Sequence, residues 1–246
     1  MIYIVGFGPG DRKHMTIEAK EAVDRADVIA GYSRYTALLK DLYPEKTYVE
    51  TGMRGEVQRC ERTIDLALEG RTVALVCSGD AGIYGMAGLL LEILDRRGLT
   101  GKIDVEVVAG VTAALAGAAL LGAPLGHDLA FISLSDLLTP WEVIRRRILA
   151  AGEADFCIAL YNPSSSGRKD HLRKAVELLL TVRDPGTLCG IADRIGREGE
   201  RTRILSLEEL ADAQTDMQSV VLIGSSRTRR IGDWLVTERG YQDKYG

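Results

Sequence analysis

The stretch IVGFGPGDRKHMT, residues 4–16, decides how this chain is read. An apolar β-branched run enters a turn with glycines at 6, 8 and 10, the place where many α/β proteins hold a nucleotide. A dinucleotide loop needs G-x-G-x-x-G and an acidic residue further on for the ribose. Here Asp11 stands where the third glycine belongs, and Pro9 removes one of the backbone N–H donors a pyrophosphate requires. Asp11 also adds a negative charge, and the next strand-like run, VIAGY at 28–32, carries no carboxylate. The turn is therefore no phosphate cradle. It is suited to close backbone approach to a neutral or cationic ligand.

Outward from this loop the pattern alternates. Short β-branched runs at 2–6, 27–31, 72–78 and 105–110 are separated by stretches at 16–26, 56–70 and 85–98 whose apolar residues recur every three or four positions. Such alternation predicts an α/β fold whose N-terminal sheet is mostly parallel, with flanking helices on both faces. After Pro124 the pattern restarts with strands at 129–135, 155–162, 187–193, 202–207 and 219–226 and helices from Thr139–Pro140 and at 168–182. The closer strand spacing predicts a mixed C-terminal sheet. Two α/β domains, 1–124 and 125–246, are expected to join near residues 121–128. The stretch 107–126 has no charge, but its glycines, alanines, Thr112 and Pro124 predict a buried strand, a turn and a tightly packed helix rather than a membrane span.

Bulk properties exclude several classes. The 246 residues are 46% hydrophobic and 27% charged, an ordinary balance for a soluble globular protein. A net charge of -4 gives no reason to expect nucleic acid as a partner. No basic and apolar leader opens the sequence, so a cytoplasmic location is expected. Cys60, Cys77, Cys157 and Cys189 form no CxxC pair and have no histidine at ligand-like spacing, so reduced core thiols and no metal site are expected.

Two further loops follow strand-like runs: CSGDAGIYGMA at 77–87 and AGVTAALAG at 109–117. The ordered set VGFGPGD, SGDAGIYG and VVAGVTA resembles the tetrapyrrole methylases, and the resemblance runs on through PLGHDLAFISLSDLLTPW (124–141), ALYNPSSSGR (159–168), GIADRIGREGE (190–200) and TDMQSVVLIGSS (215–226). It implies a two-domain fold unlike the common Rossmann methyltransferases, with S-adenosylmethionine folded in a cleft between the domains and S-adenosylhomocysteine as product. HDLAFISLSDLLTPW and YNPSSSGR are similar to the branch that methylates carbon 17 of precorrin-3B or cobalt-factor III and contracts the corrin ring. Methylation of another precorrin carbon, or of uroporphyrinogen III, is the alternative. The resemblance also implies a homodimer with a small-molecule tetrapyrrole substrate, and no membrane partner.

Carried over position by position, the resemblance assigns Gly8, Pro9, Gly79, Asp80, Ala81, Thr112 and Ala113 to the donor, with Tyr161, Asn162 and Ala192 on its adenosine. Residues able to move protons during contraction are His127, Ser135 and Asp136, with Ser133 beside them. A substrate rich in carboxylates is expected to meet Arg54 and Arg168, with Asp11, Ser164, Ser165 and Ser166 also assigned to its binding. Plainer roles compete with these. Asp80, Ser135 and Asp136 could each cap a helix, His127 could simply bond Asp128, and Ser164–Ser166 could be a solvated turn. His14 and His171 are read as inert residues on polar helical surfaces.

Overall fold

The computed structural model describes residues 1–165 and 167–245. By internal contacts the chain divides into two units, Met1–Ala113 and Ala114–Gly246. Sequence pattern put the joint near residues 121–128, after the helix Ala113–Leu121; the contacts divide the chain at the start of that helix. That helix carries small residues that pack closely on the second unit's sheet.

The first unit runs β1 (Ile2–Gly6), α1 (Ile17–Arg25), β2 (Val28–Tyr32), α2 (Ser33–Lys40), β3 (Thr47–Thr51), α3 (Glu56–Leu68), β4 (Val73–Cys77), α4 (Ala87–Arg96) and β5 (Val105–Val108). Its five strands are parallel in the order β3-β2-β4-β1-β5. Alternation along the strands feeds two apolar layers. Ile2, Ile4, Val73 and Leu75 meet Cys60 and Ile64 of α3 and Leu90 and Ile93 of α4. Tyr3, Val5, Ala74 and Val76 meet Ala19 and Val23 of α1 and Leu39 of α2. The sequence reading missed α2 and β3. β3 is an edge strand whose residues are exposed or only partly buried, so its hydrophobic signal is weak.

Strand order also locates a switch point. From β1 the chain crosses beyond β4 to reach β2, and from β4 it crosses beyond β1 to reach β5. Adjacent strands whose connections leave in opposite directions open a crevice at their carboxyl ends, where open α/β sheets bind ligands.

The second unit continues with α5 (Ala113–Leu121), β6 (Gly122–Ala123), β7 (Leu129–Ser133), α6 (Trp141–Glu153), β8 (Cys157–Tyr161), α7 (His171–Leu179), β9 (Leu188–Asp193), β10 (Arg201–Ser206), α8 (Leu207–Leu210), β11 (Ser219–Ile223), β12 (Thr228–Ile231), β13 (Trp234–Thr237) and α9 (Tyr241–Tyr245). The main sheet is mixed, as expected. Its order is β10-β9-β11-β8-β7, with only the β7–β8 pair parallel. On one face Ile158, Leu160 and Ile191 pack against Ile144 and Ile148 of α6 and Val176 and Leu179 of α7. A small third sheet, β12-β13-β6, was not foreseen; its β12, TRRI, is mostly exposed and lacks an alternating apolar signal. Helix α6 begins at Trp141 with Pro140 as its N-cap, one residue later than the Thr139 cap expected from sequence.

Helix α5 settles the charge-free stretch. A Cβ on Gly117 would lie 2.9 Å from the Val220 side chain and 3.0 Å from that of Ala192, so an added methyl would push these side chains aside and glycine permits the close approach to the sheet. Nine residues rise only ~13 Å, far short of the ~30 Å hydrocarbon layer. Among the described residues no helix is long and apolar enough to cross a membrane.

All four cysteines are buried and free. Burial pushes the Cys60 thiol up to about 12 and the Cys77 thiol up to about 11, and raises Cys189 further still. A disulfide-exchange reagent at mildly alkaline pH should therefore label almost no thiol in the native protein and four after denaturation. Rapid labelling of the native chain would contradict this packing.

Candidate functional site

At the switch point three loops of the first unit meet. Phe7 N–H donates to Cys77 O (3.1 Å), and Gly8 and Gly79 exchange both backbone bonds (3.0 and 2.8 Å). The loop after β1 is thereby stitched to the loop after β4 across the crevice. A Cβ on Gly6 would lie 2.8 Å from Gly110 N and from Gly79 O. One on Gly110 would lie 2.2 Å from Gly79 O and 2.5 Å from Gly6 O. These two positions admit only glycine because the neighbours are backbone. Gly79 in turn lies against Thr112 and Ala113, bringing in the loop after β5.

Asp80 sits at the centre. Its Oδ1 accepts from Gly82 N (2.8 Å) and Ile83 N (3.0 Å), and its Oδ2 accepts from Gly110 N (2.9 Å). It does not cap the following helix. Instead one carboxylate gathers amides from two loops thirty positions apart in sequence. The N–H groups of Gly8, Gly79, Gly82, Ile83 and Gly110 are thus all used inside the protein, and the anion at their focus is the protein's own. A diphosphate would find these donors spent and a negative charge in place.

The remaining predicted residues of this unit are plainly located. Gly8, Pro9, Gly79, Ala81 and Thr112 are buried, whereas Asp80 and Ala113 are half-buried. Asp11 caps a 3-10 turn, accepting from Lys13 N (3.1 Å) and pairing with His14 Nδ1 (2.7 Å). Arg54 is exposed in the loop after β3, at the same carboxyl edge, with φ of 67°. Sequence reasoning missed Arg59, which is 3% exposed. Its guanidinium donates to Thr51 Oγ1 (2.9 Å), Gly52 O (3.3 Å) and Met86 Sδ (3.0 Å), so it braces the Arg54 loop against the end of the Asp80 loop. Also missed were Ile83 and Tyr84, large side chains left exposed on the loop that Asp80 stiffens. Exposed apolar groups inside a glycine-rich turn were the available signal.

In the second unit the carboxyl ends of β7 and β8 gather a second set. Tyr161 Oη accepts from Ala114 N at the start of α5 (3.1 Å), and its ring meets Phe131 edge-on. Asn162, with φ of 53°, donates from Nδ2 to Ser133 Oγ (3.0 Å), which also accepts from Ser135 N (3.2 Å). Ser165 and Arg168 form a backbone bridge beside the half-buried Ser164. The Arg168 Nε is buried and has no hydrogen-bond partner among the described residues. Ser166 lies outside the described residues.

Three expectations change. His127 precedes β7, where it pairs with Asp128 (3.6 Å) and influences Asp155, the residue two before β8. Ser135 and Asp136 follow β7, so the five-residue strand, ~16 Å long, separates them from His127. His127 therefore does not join them. Ala192 is fully buried in β9, between β10 and β11, with its side chain under α5, so it has no free surface to offer. His171 is not on a solvated face. Its side chain is 12% exposed and bonds Asp136 through Nε2 (3.0 Å).

Comparison with known proteins agrees with this geometry. The model of the family Tetrapyrrole (Corrin/Porphyrin) Methylases matches residues 1–211. The chain is a tetrapyrrole methylase. This methylase is 46% identical to a probable cobalt-factor III C(17)-methyltransferase of Salmonella typhimurium, over 98% of its own length and 99% of that relative. It is 42% identical to a precorrin-3B C(17)-methyltransferase of Sinorhizobium sp, over 94% of its length and 91% of the relative. Among solved structures it superposes on the methyltransferase CobJ with a TM-score of 0.90 at 36% identity, covering 96% of this chain and 99% of CobJ. A uroporphyrin-III C-methyl transferase from Thermus thermophilus, solved with S-adenyl homocysteine, matches the methylase with a TM-score of 0.69 at 25% identity, covering 91% and 96% of the two chains. No cluster of three or more metal-ligating side chains occurs among the described residues.

Proposed function

We propose that the protein transfers a methyl group from S-adenosylmethionine to carbon 17 of precorrin-3B or cobalt-factor III, with contraction of the corrin ring to precorrin-4 or its cobalt form. The observation that carries the reading is the Asp80 carboxylate holding the amides of Gly82, Ile83 and Gly110 at the switch point. A loop set that supplies its own anion suits a cationic donor and rejects a dinucleotide. The relatives named above narrow the acceptor to carbon 17.

The residues fit the donor. Gly8, Pro9, Gly79, Asp80, Ala81, Thr112 and Ala113 of the first unit are assigned to it on the stitched loops described above, and Tyr161 and Asn162 are assigned to it on the family resemblance. When bound, S-adenosylmethionine supplies an electrophilic methyl group on a positively charged sulfur that leaves as a neutral thioether. The protein's task is then orientation and exclusion of water. The backbone bridge and the Asp80 bonds make the loops rigid before any ligand arrives, so little ordering remains to be done on binding. Contraction needs protons moved, and Ser135 and Asp136 are the groups at the carboxyl edge of β7 able to do it. Arg54, exposed in its loop, and Arg168, whose buried Nε has no hydrogen-bond partner among the described residues, are assigned to substrate carboxylates. We place the enzyme in the cytoplasm as a homodimer.

The test is incubation with cobalt-factor III or precorrin-3B and the methyl donor, followed by mass and absorbance. One added methyl together with the spectrum of a contracted macrocycle is expected. A methylated product with an uncontracted ring would move the assignment to another carbon. In parallel, S-adenosylhomocysteine should raise the melting temperature and NAD should leave it unchanged.

A further inference from the structure

Asp136, Arg168 and His171 come from two loops that follow the parallel strands β7 and β8. The Nε2 of His171, the first residue of α7, lies 3.0 Å from Asp136 Oδ2. The imidazole is largely covered, at 12% exposure, and stands edge-on to Trp141, the first residue of α6, at 5.1 Å between centroids. Lys174 Nζ lies over the same indole at 5.9 Å from its centroid. Two helix starts therefore grip one histidine, and the histidine grips the loop carrying Asp136. The charged groups facing that carboxylate are His171 and Arg168. Asp136 keeps 37% of its side chain exposed, beside Leu137 and Leu138, which are 67% and 97% exposed. An open carboxylate, the Arg168 cation acting on it and two bare leucines next in sequence are groups suited to a flat apolar ring with a charged rim.

We infer that His171 is a positioning residue of the methyltransferase reaction: it holds the Asp136 carboxylate toward the substrate, from a place sequence reasoning treated as inert. The inference rests on the reading of Asp136 as a substrate-side group. His171 first, and Arg168 more weakly, holds the Asp136 carboxyl below its ordinary range, so Asp136 is a charged acceptor at neutral pH. It can receive a proton from the substrate but is poorly suited to donate one. Losing His171 should let the Asp136 pKa rise, which moves the acid limb of the rate profile to higher pH.

The test compares His171→Ala, His171→Gln and Asp136→Asn in the whole enzyme, with Arg173→Gln on the exposed side of α7 as control. A positioned acid or base contributes ~10²–10⁴-fold, so losing only its holder is expected to lower kcat less, on the order of 10-fold. KM for both substrates should stay within about twofold, and the acid limb of kcat should shift upward. Glutamine can donate one N–H to Asp136, so His171→Gln should recover most of the rate at neutral pH. The inference is overturned if His171→Ala keeps wild-type kcat and acid limb while Asp136→Asn is inactive. It is also overturned if both His171 variants lose rate equally with an unmoved limb, since that is a folding effect. Wild-type activity in Asp136→Asn would remove the underlying reading of the loop and the inference with it.

Discussion

Gly110→Ala is expected to abolish donor binding and to cost the protein about 3 kcal/mol or more, combining overpacking of ~1–3 kcal/mol with the loss of a charged hydrogen bond worth ~1.5–3 kcal/mol. The new methyl would stand 2.2 Å from Gly79 O and 2.5 Å from Gly6 C and O. Each of these is a backbone atom, and the strands behind them are buried and paired on both sides, so no side chain can swing away. Relief requires the end of β5 to leave β1, and that movement breaks the Gly110 N–H bond to Asp80. For a chain of this size about 3 kcal/mol corresponds to a fall of roughly 6–12 °C in melting temperature. Gly88→Ala in α4 is the control. Nothing lies within 4 Å of its Cβ position, so the better helix former should be neutral or stabilise by up to ~1 kcal/mol. Thermal melts with and without S-adenosylhomocysteine check both variants. A Gly110→Ala protein that melts near the wild type and still gains stability from the ligand would refute the packed three-loop site.

The second large effect belongs to Asp80→Asn. The substitution keeps shape but replaces two acceptors by one acceptor and one donor. If the amide oxygen stays on Gly82 and Ile83, the new NH2 group faces the Gly110 N–H, donor against donor; the opposite flip strands the other two amides. A lost charged hydrogen bond of ~1.5–3 kcal/mol corresponds to an affinity loss of roughly 10- to 100-fold for the donor. The charge has its own signature. S-adenosylmethionine carries a sulfonium and S-adenosylhomocysteine a neutral thioether, so removing the carboxylate should weaken the first more than the second. Calorimetric titration of both ligands reads the ratio. Affinities within twofold of wild type for both would show that Asp80 neither shapes nor charges the site.

Much of the site was legible locally because its rules are local. Pro9 has no N–H wherever it stands, and a carboxylate at Asp11 repels a phosphate in any fold. Glycines directly after strand runs announced close approach, and strand–helix alternation announced the parallel sheet. His127 shows where such reading stops. It lies nine positions before Asp136, and the HDLAFISLSD stretch made the two look like one cluster. A strand runs between them, and at ~3.3 Å per residue a strand carries its two ends apart rather than together. His171 shows the converse, since a helical position with polar neighbours looked solvated until two helix starts closed around it.

The amino-acid order alone determined that this chain is an α/β protein with a parallel first sheet and a mixed second one, and that its opening loop refuses a diphosphate. Both follow from side-chain period and backbone donors within a few residues. The tertiary structure alone decided that Asp80 joins Gly82 and Ile83 to Gly110, that Gly6 and Gly110 touch backbone to backbone, and that Asp136 belongs with His171 and not with His127. Those pairings depend on strand order and register. These arise when distant segments bury their apolar faces together, and no short window of sequence contains that information.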